Sequence, residues 1–379
     1  MKTFDFDTPI DRRGTDSLKW KVYKNRDIIP MWVADMDFQS PPAVIEALRK
    51  RVEHGVYGYT VPPKALIDTI RDRLYHLYGW DIKPQWIVWL PGLVSGINVA
   101  CRAVGDKGDD VLTTVPVYPP FLSAPSNVGR QLVTFRMSLI KNKWQFNFDA
   151  LEKAVTPSTR LFILCHPHNP LGRVFSRDEL IKVAEICERH DMILCSDEIH
   201  CDLILDKEKK HQPTASLSPE TADRTITLMA PSKTYNIAGL GCSFAIISNP
   251  HLRREFEQAM AGIVPHLNCF SYTAGLAGYR DSDEWLKQVL SYLRENRNLV
   301  EKEINEMPGL STTHVEATYL AWINTRELDT DNPYKFFENA GVGLSDGVNF
   351  DGQGFVRLNF GCPRKTLMQG LERMRKAIN

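Results

Sequence analysis

Four apolar, strand-like runs each end in residues that can do chemistry. Arg160 to Cys165 leads into His166-Pro167-His168-Asn169-Pro170-Leu171-Gly172, and Met192 to Cys195 leads into Ser196-Asp197-Glu198-Ile199-His200. Thr225 to Met229 leads into Ala230-Pro231-Ser232-Lys233-Thr234, and Trp86 to Leu90 leads into Pro91-Gly92-Leu93-Val94-Ser95-Gly96. A lysine amine is a nucleophile toward carbonyl carbon and a proton carrier. A carboxylate favours the charged form of a nearby cation. A glycine turn opening a helix presents backbone amides and a positive dipole end to an anion. Each piece alone has an ordinary explanation: Asn-Pro as a turn, Asp as a cap, Lys as a solvated charge, Gly before a helix as a loop end. All of them at strand ends, where open parallel sheets bind ligands, make a site the better reading.

The elements that must hold these residues follow one grammar. Arg160–Cys165 reads as a buried strand, and Ser176-Arg177-Asp178-Glu179 then forms a capping box. Leu180, Val183, Ala184 and Cys187 follow at helical spacing up to His190, and Met192–Cys195 is the next strand. Strand, helix and strand make a βαβ unit, which implies a parallel sheet with a right-handed crossover. Trp86–Leu90 reads as a further strand, Leu93 to Val104 as a helix closed by Gly105, and Asp110–Thr114 and Thr225–Met229 as strands. From Asp283 the pattern becomes a long helix carrying Trp285, Val289, Leu293, Val300 and Ile304. Short strands at Tyr319–Ile323 and Val356–Phe360 and a final helix come after it. The expected architecture is α/β. A large domain over 40–282 has a mostly parallel sheet flanked by helices, a smaller α+β domain spans 283–379, and residues 1–39 form an arm packing with the small domain.

Composition narrows the function classes. The 379 residues carry 46 Lys plus Arg against 46 Asp plus Glu, so no basic excess points to a nucleic-acid partner. No run approaches the ~18 apolar residues of a membrane span, and the start Met1-Lys2-Thr3-Phe4-Asp5-Phe6-Asp7 has no apolar signal core. A cytoplasmic location is the expectation. The eight cysteines form no C-x-x-C pair and read as buried free thiols. Cys165-His166-Pro167-His168 lacks the second ligand pair of a zinc site, so no metal is expected.

These residues resemble the pyridoxal-phosphate enzymes of the aspartate aminotransferase superfamily over nearly the whole chain. The resemblance rests on Asn169, Pro170 and Gly172, on Asp197-Glu198, on Ser232-Lys233, and on Arg357 in Val356-Arg357-Leu358-Asn359-Phe360. Within the superfamily the chain is most similar to the carbon–sulfur β-lyase branch, which includes cystathionine β-lyase-like proteins. Met31-Trp32-Val33-Ala34-Asp35-Met36-Asp37-Phe38, Tyr57-Gly58-Tyr59, the run from Asp197 to His200 and that from Ser232 to Leu240 support it. The resemblance implies that Lys233 holds the cofactor's aldehyde and carries the Cα proton. It implies that Asp197 keeps the pyridine nitrogen protonated, that Asn169 meets the phenolic oxygen, and that Tyr118 stacks on the ring. Gly92, Leu93, Val94 and Ser232 would hold the phosphate, joined by Tyr59 of a second subunit in a homodimer. Arg357, Asn169 and Ala34 would face the substrate, with Arg357 gripping its α-carboxylate.

Two departures from the aminotransferase pattern favour the lyase branch. His200 stands where aminotransferases commonly carry Tyr, and Gly241 where they commonly carry Arg eight residues after the lysine. Gly239-Leu240-Gly241 is no dinucleotide fingerprint, since no third glycine follows in place. The expected activity is β-elimination from cystathionine or related cysteine S-conjugates, giving a thiol, pyruvate and ammonia. The alternatives are an aminotransferase with the same machinery, or a regulatory binding protein on this fold.

Overall fold

Apolar runs without a polar face make strands that are covered on both sides, and six strands of this kind with one exposed edge strand form the central layer of the computed structural model, which describes residues 3–379. In chain order they are β1 Ile87–Leu90, β2 Asp110–Val115, β3 Gln131–Arg136, β4 Thr159–Cys165, β5 Ile193–Asp197, β6 Thr225–Met229 and β7 Ser243–Ile246. Their order across the sheet is β1-β7-β6-β5-β4-β2-β3, and β7 alone runs antiparallel to its neighbours. The pleat divides the core: Leu161 and Ile163 face one apolar cluster, while Phe162 and Leu164 face another.

Register puts the chemistry on one edge. Cys165 lies beside Asp197, and Asp197 beside Leu228, so the loops leaving β4, β5 and β6 emerge together. The Arg177–Arg189 helix between β4 and β5 starts at the expected capping box. Ser176 Oγ accepts from the Glu179 amide at 3.2 Å, and the Ser176 amide donates to Glu179 Oε2 at 2.8 Å. The helix after β1 spans Leu93–Ala103 and begins at Gly92.

The Asp283–Asn305 helix buries Trp285, Val289, Leu293, Val300 and Ile304 along one face. A second, antiparallel sheet orders Ser311–Thr312, Leu320–Asn324, Phe355–Asn359 and Ser345–Asp346. The N-terminal segment lies against this part of the chain. Ile29–Pro30 pairs in parallel with Val342–Gly343, the Asn359 amide donates to Met31 O at 2.9 Å, and the Asp37 amide donates to Gly361 O at 2.8 Å. Met1 and Lys2, the first residues of the expected arm, lie outside the described residues.

A charged network fastens the arm. Lys19, only 1% exposed, donates to Asp37 at 2.7 Å, and Arg12 reaches Asp35 at 2.8 Å and Asp37 at 2.7 Å. Buried charges are tolerated only when paired and hydrogen-bonded, and Trp20 Nε1 supplies a further donor to Asp37 at 3.1 Å. All eight cysteines are buried free thiols. Among the described residues no helix is long and apolar enough to cross a membrane, and no cluster could hold a metal ion.

Candidate active site

A cavity of about 770 Å³ opens at the carboxyl edge of the central sheet, between it and the second sheet. Gly92, Leu93, Val94, Tyr118, Asn169, Asp197, His200, Ser232, Lys233, Arg357 and Ala34 all line it. The loops after β1, β4, β5 and β6, the arm and the Phe355–Asn359 strand thus meet there.

Lys233 follows β6 in a tight turn, where the Tyr235 amide donates to Pro231 O at 2.9 Å. Its Nζ donates to Ala34 O at 2.6 Å, and Tyr319 Oη donates to the same oxygen at 3.0 Å. Loss of solvent around the amine pulls it down to about 8, with Arg357 pushing the same way and Asp35 and Asp197 opposing. An amine in that range is available as a base and nucleophile near neutrality. The Ala34 amide donates to no partner among the described residues and lies on the cavity wall.

Asp197 ends β5 and turns its carboxylate into the cavity. Burial raises it to about 7, the Ile199 amide donating to Oδ1 at 3.1 Å opposes this, and Glu198 adds to the rise. Glu198 points the other way, as alternate strand residues do. It accepts from Ser196 Oγ at 2.8 Å and the Thr214 amide at 2.9 Å, and its Oε2 lies 2.7 Å from His211 Nε2. The Asp-Glu pair is therefore one carboxylate for the cavity and one for the interior.

Arg357 is buried with its charge unanswered. Nη1 donates to Asn169 Oδ1 at 2.8 Å, while Nη2 donates to Trp32 O at 2.8 Å and Ser345 Oγ at 3.2 Å. Nε has no partner, and no carboxylate pairs with the guanidinium among the described residues. Burial lowers it to about 10, and its face sits 4.7 Å from the centre of the Phe350 ring. A buried guanidinium without a counter-anion has the charge and donor geometry to take a carboxylate.

At the far side, the Leu93–Ala103 helix starts with no side-chain cap, which leaves its first amides without an intrahelical partner, and Gly92 to Ser95 line the cavity. A side chain at Gly92 would meet nothing within 4 Å, which leaves room for a bulky anion. Ser232 Oγ has no partner among the described residues and lines the same wall. Gly241 has φ +62°, and a Cβ there would lie 2.9 Å from Pro91 O, the residue before the cradle. The turn thus excludes an arginine both by conformation and by space.

His200 is buried and neutral: burial holds the ring at about 3, Nδ1 lacks a partner, and its edge lies against Tyr319 at 6.4 Å. Tyr118, half-buried ahead of Pro119, has its phenol raised by burial. Tyr59 is the predicted residue that its own chain does not bring in; it is fully exposed and outside the cavity. Sequence reasoning missed Tyr319 and Ser345. Tyr319 lies just before the Leu320–Asn324 strand of the antiparallel second sheet, at its start and not at a carboxyl end, so the parallel-sheet rule gave no signal for it.

A lysine amine, a facing carboxylate, an amide beside a bare guanidinium and an anion cradle match the parts of pyridoxal phosphate with an amino acid: aldehyde, ring nitrogen, phenolic oxygen, phosphate and α-carboxylate. Comparison with known proteins agrees. The family profile "Aminotransferase class I and II" matches residues 26–374. The chain is 37% identical to cystathionine β-lyase PatB of Bacillus subtilis (strain 168), covering 99% of this chain and 100% of that protein. The crystal structure of OvoB superimposes with a TM-score of 0.97 at 45% identity, covering 99% of each chain. Cystalysin from Treponema denticola, whose structure contains a pyridoxal 5'-phosphate cofactor, gives 0.95 at 34% identity and 99% coverage of each chain. On these grounds the chain belongs to the class I and II aminotransferase family of pyridoxal-phosphate enzymes, within its carbon–sulfur β-lyase branch.

Proposed function

We propose that the protein cleaves the Cβ–S bond of cystathionine or a related cysteine S-conjugate, releasing a thiol, pyruvate and ammonia. The observation that carries this is one cavity holding a lysine amine at about 8 and a guanidinium without a counter-anion. Arg357 receives the α-carboxylate on its unpartnered Nε, with the Ala34 amide as a further donor. Lys233 takes the proton from Cα and passes it to the departing thiolate, and water converts the remaining three-carbon unsaturated amine to pyruvate and ammonia. Asp197 holds the cofactor's ring nitrogen, Asn169 its phenolic oxygen, Tyr118 its face, His200 the neighbouring edge, and Gly92, Leu93, Val94 and Ser232 its phosphate. When bound, pyridoxal phosphate supplies the aldehyde that binds the substrate amine and the electron sink that stabilises negative charge at Cα.

The reading extends to assembly and location. Val56, Tyr57, Tyr59 and Val61 are exposed apolar residues in one extended segment, and Val94, at the cradle, is exposed as well. Such a patch supports a homodimer in which Tyr59 completes the phosphate site of its partner. Eight reduced, buried thiols support a cytoplasmic setting. The deciding experiment incubates purified protein with cystathionine and other S-conjugates without a keto-acid acceptor. Pyruvate and thiol in equal amounts are expected. Product only on adding an acceptor would make the protein an aminotransferase.

A further inference from the structure

Every backbone carbonyl from Met31 to Met36 accepts a hydrogen bond from outside that segment. Met31 O accepts from the Asn359 amide at 2.9 Å, and Trp32 O accepts from Arg357 Nη2 at 2.8 Å. Asn359 Nδ2 donates both to Val33 O and, at 2.7 Å, to Asp35 O, the carbonyls on either side of Ala34. Asn236 Nδ2 donates to Met36 O at 2.9 Å and Phe38 O at 2.8 Å, while its Oδ1 accepts from the Met36 amide at 2.9 Å. Asn359 is buried, stands on the same face of its strand as Arg357, and accepts from the Gly361 amide at 2.7 Å. Asn236 follows closely on Lys233 and sits at φ +55°, where asparagine is among the few tolerated side chains. Ala34 O differs from its neighbours: of its two donors, Tyr319 and Lys233, the lysine is the group that must move in the reaction.

We infer that Asn359 and Asn236 are positioning residues, a pair of side-chain amides that clamps the Ala34 peptide in place for the substrate α-carboxylate while Lys233 is away. The inference rests on the reading that Arg357 and the Ala34 amide receive that carboxylate. A trans peptide sets its N–H opposite its C=O, so tying Val33 O to Asn359 fixes the direction of the Ala34 amide. Asp35 O and Met36 O are tied on the other side of Ala34, so the backbone cannot swivel when the lysine leaves. One strand carries both Arg357 and Asn359, so the two donors offered to the carboxylate keep a constant spacing. Donors held this way need no ordering when the ligand arrives, which favours binding. All of these contacts lie within one chain.

The test uses the holoenzyme and reads binding by the absorbance change of the cofactor. L-Alanine, which has no leaving group at Cβ, is compared with ethylamine, the same molecule without its carboxylate. Asn359→Ala should weaken L-alanine binding about tenfold, as expected for one hydrogen bond to a charged group, and leave ethylamine within about twofold. Asn236→Gly, which keeps the left-handed backbone, should weaken L-alanine about threefold. Asn236→Asp, which keeps the acceptor for the Met36 amide, should weaken it less. If Asn359→Ala does not fold, the two Asn236 variants decide. In cofactor-free protein, hydrogen exchange at the Met36 amide should quicken in Asn236→Gly, and an unchanged rate removes Asn236 from the clamp. Equal weakening of both ligands, or no weakening of L-alanine, overturns the inference. Arg357→Ala is the control: if it weakens L-alanine and the asparagine variants do not, the clamp alone falls. If L-alanine binding survives Arg357→Ala, the reading of the carboxylate site falls, and the clamp with it. None of these measurements needs turnover, so the lyase reading is decided separately by pyruvate formation.

Discussion

Lys233 Nζ rests 2.6 Å from the carbonyl oxygen of Ala34, a residue of the arm lying 199 positions earlier in the chain. The amine is thus oriented by backbone rather than by a carboxylate, and it can leave that oxygen without stranding an opposite charge. Tyr319 remains as donor to the same oxygen when the lysine swings away.

Lys233 is expected to carry the chromophore. Borohydride reduction of the yellow holoenzyme should fix the cofactor to the peptide containing residue 233. Lys233→Ala should retain cofactor through phosphate and ring contacts yet form no pyruvate. Peptide mapping that places the adduct on another lysine would refute this.

Asp197 should have opposite effects on the empty and the loaded protein. Burial raises its carboxyl from 3.8 to about 7, so between those values the folded chain keeps a proton that the unfolded chain has lost. The stabilisation is full below pH ~4 and fades as pH rises through 7. Asp197→Asn should therefore make cofactor-free protein more stable at pH 8, by on the order of 4 kcal/mol, and equal to wild type near pH 3. Thermal unfolding at both pH values reads this out. In the loaded enzyme the same change removes the partner of the ring nitrogen and should slow turnover by about a hundredfold or more.

Gly241→Ala should cost about 1–3 kcal/mol from its left-handed φ alone, and the Cβ would press on Pro91 O. Because Pro91 leads into Gly92, cofactor should dialyse out faster than from wild type. Gly241→Arg should be worse still, despite adding a cation near the phosphate. Slower cofactor loss in either variant would contradict this account of the turn.

Tyr59 is tested by complementation. Neither Tyr59→Ala nor Lys233→Ala homodimers should be fully active, but their mixed dimer contains one site with Lys233 from one chain and Tyr59 from the other. Activity above both parents is expected from co-expressed, co-purified heterodimers. Mixed dimers with no gain, or a fully active monomer, would rule out the shared site.

Much of this site was legible because parallel strands advertise their ends: β4, β5 and β6 carry apolar runs that are buried almost throughout, and the polar residues at their ends and beyond stand out. The capping box at Ser176 was equally plain, since its two bonds are local. What escaped notice depends on distance or direction. β7, Ser243–Ile246, is four residues long, and burial on both faces says nothing of its antiparallel course. β3 is an edge strand with most side chains exposed, which blurs its apolar signal. The Arg357–Asn169 bond joins residues 188 positions apart, and the use of Ala34 by its carbonyl carries no side-chain signature.

The grip on the guanidinium comes from Trp32 O, 325 positions from Arg357, and Asn359 also reaches back to Asp35 O at 2.7 Å. Residues made early in translation and residues made late therefore close over the cavity together. Contacts of such sequence separation form late, after the entropy of a very long loop has been overcome. A nascent chain that has emerged only through β7 already owns the lysine, the carboxylate and the phosphate cradle, but it has no carboxylate fork and no docked arm. The residues that follow β4, β5 and β6 and those of the C-terminal part are thus separated in order of synthesis, and the cavity closes only in the finished polypeptide.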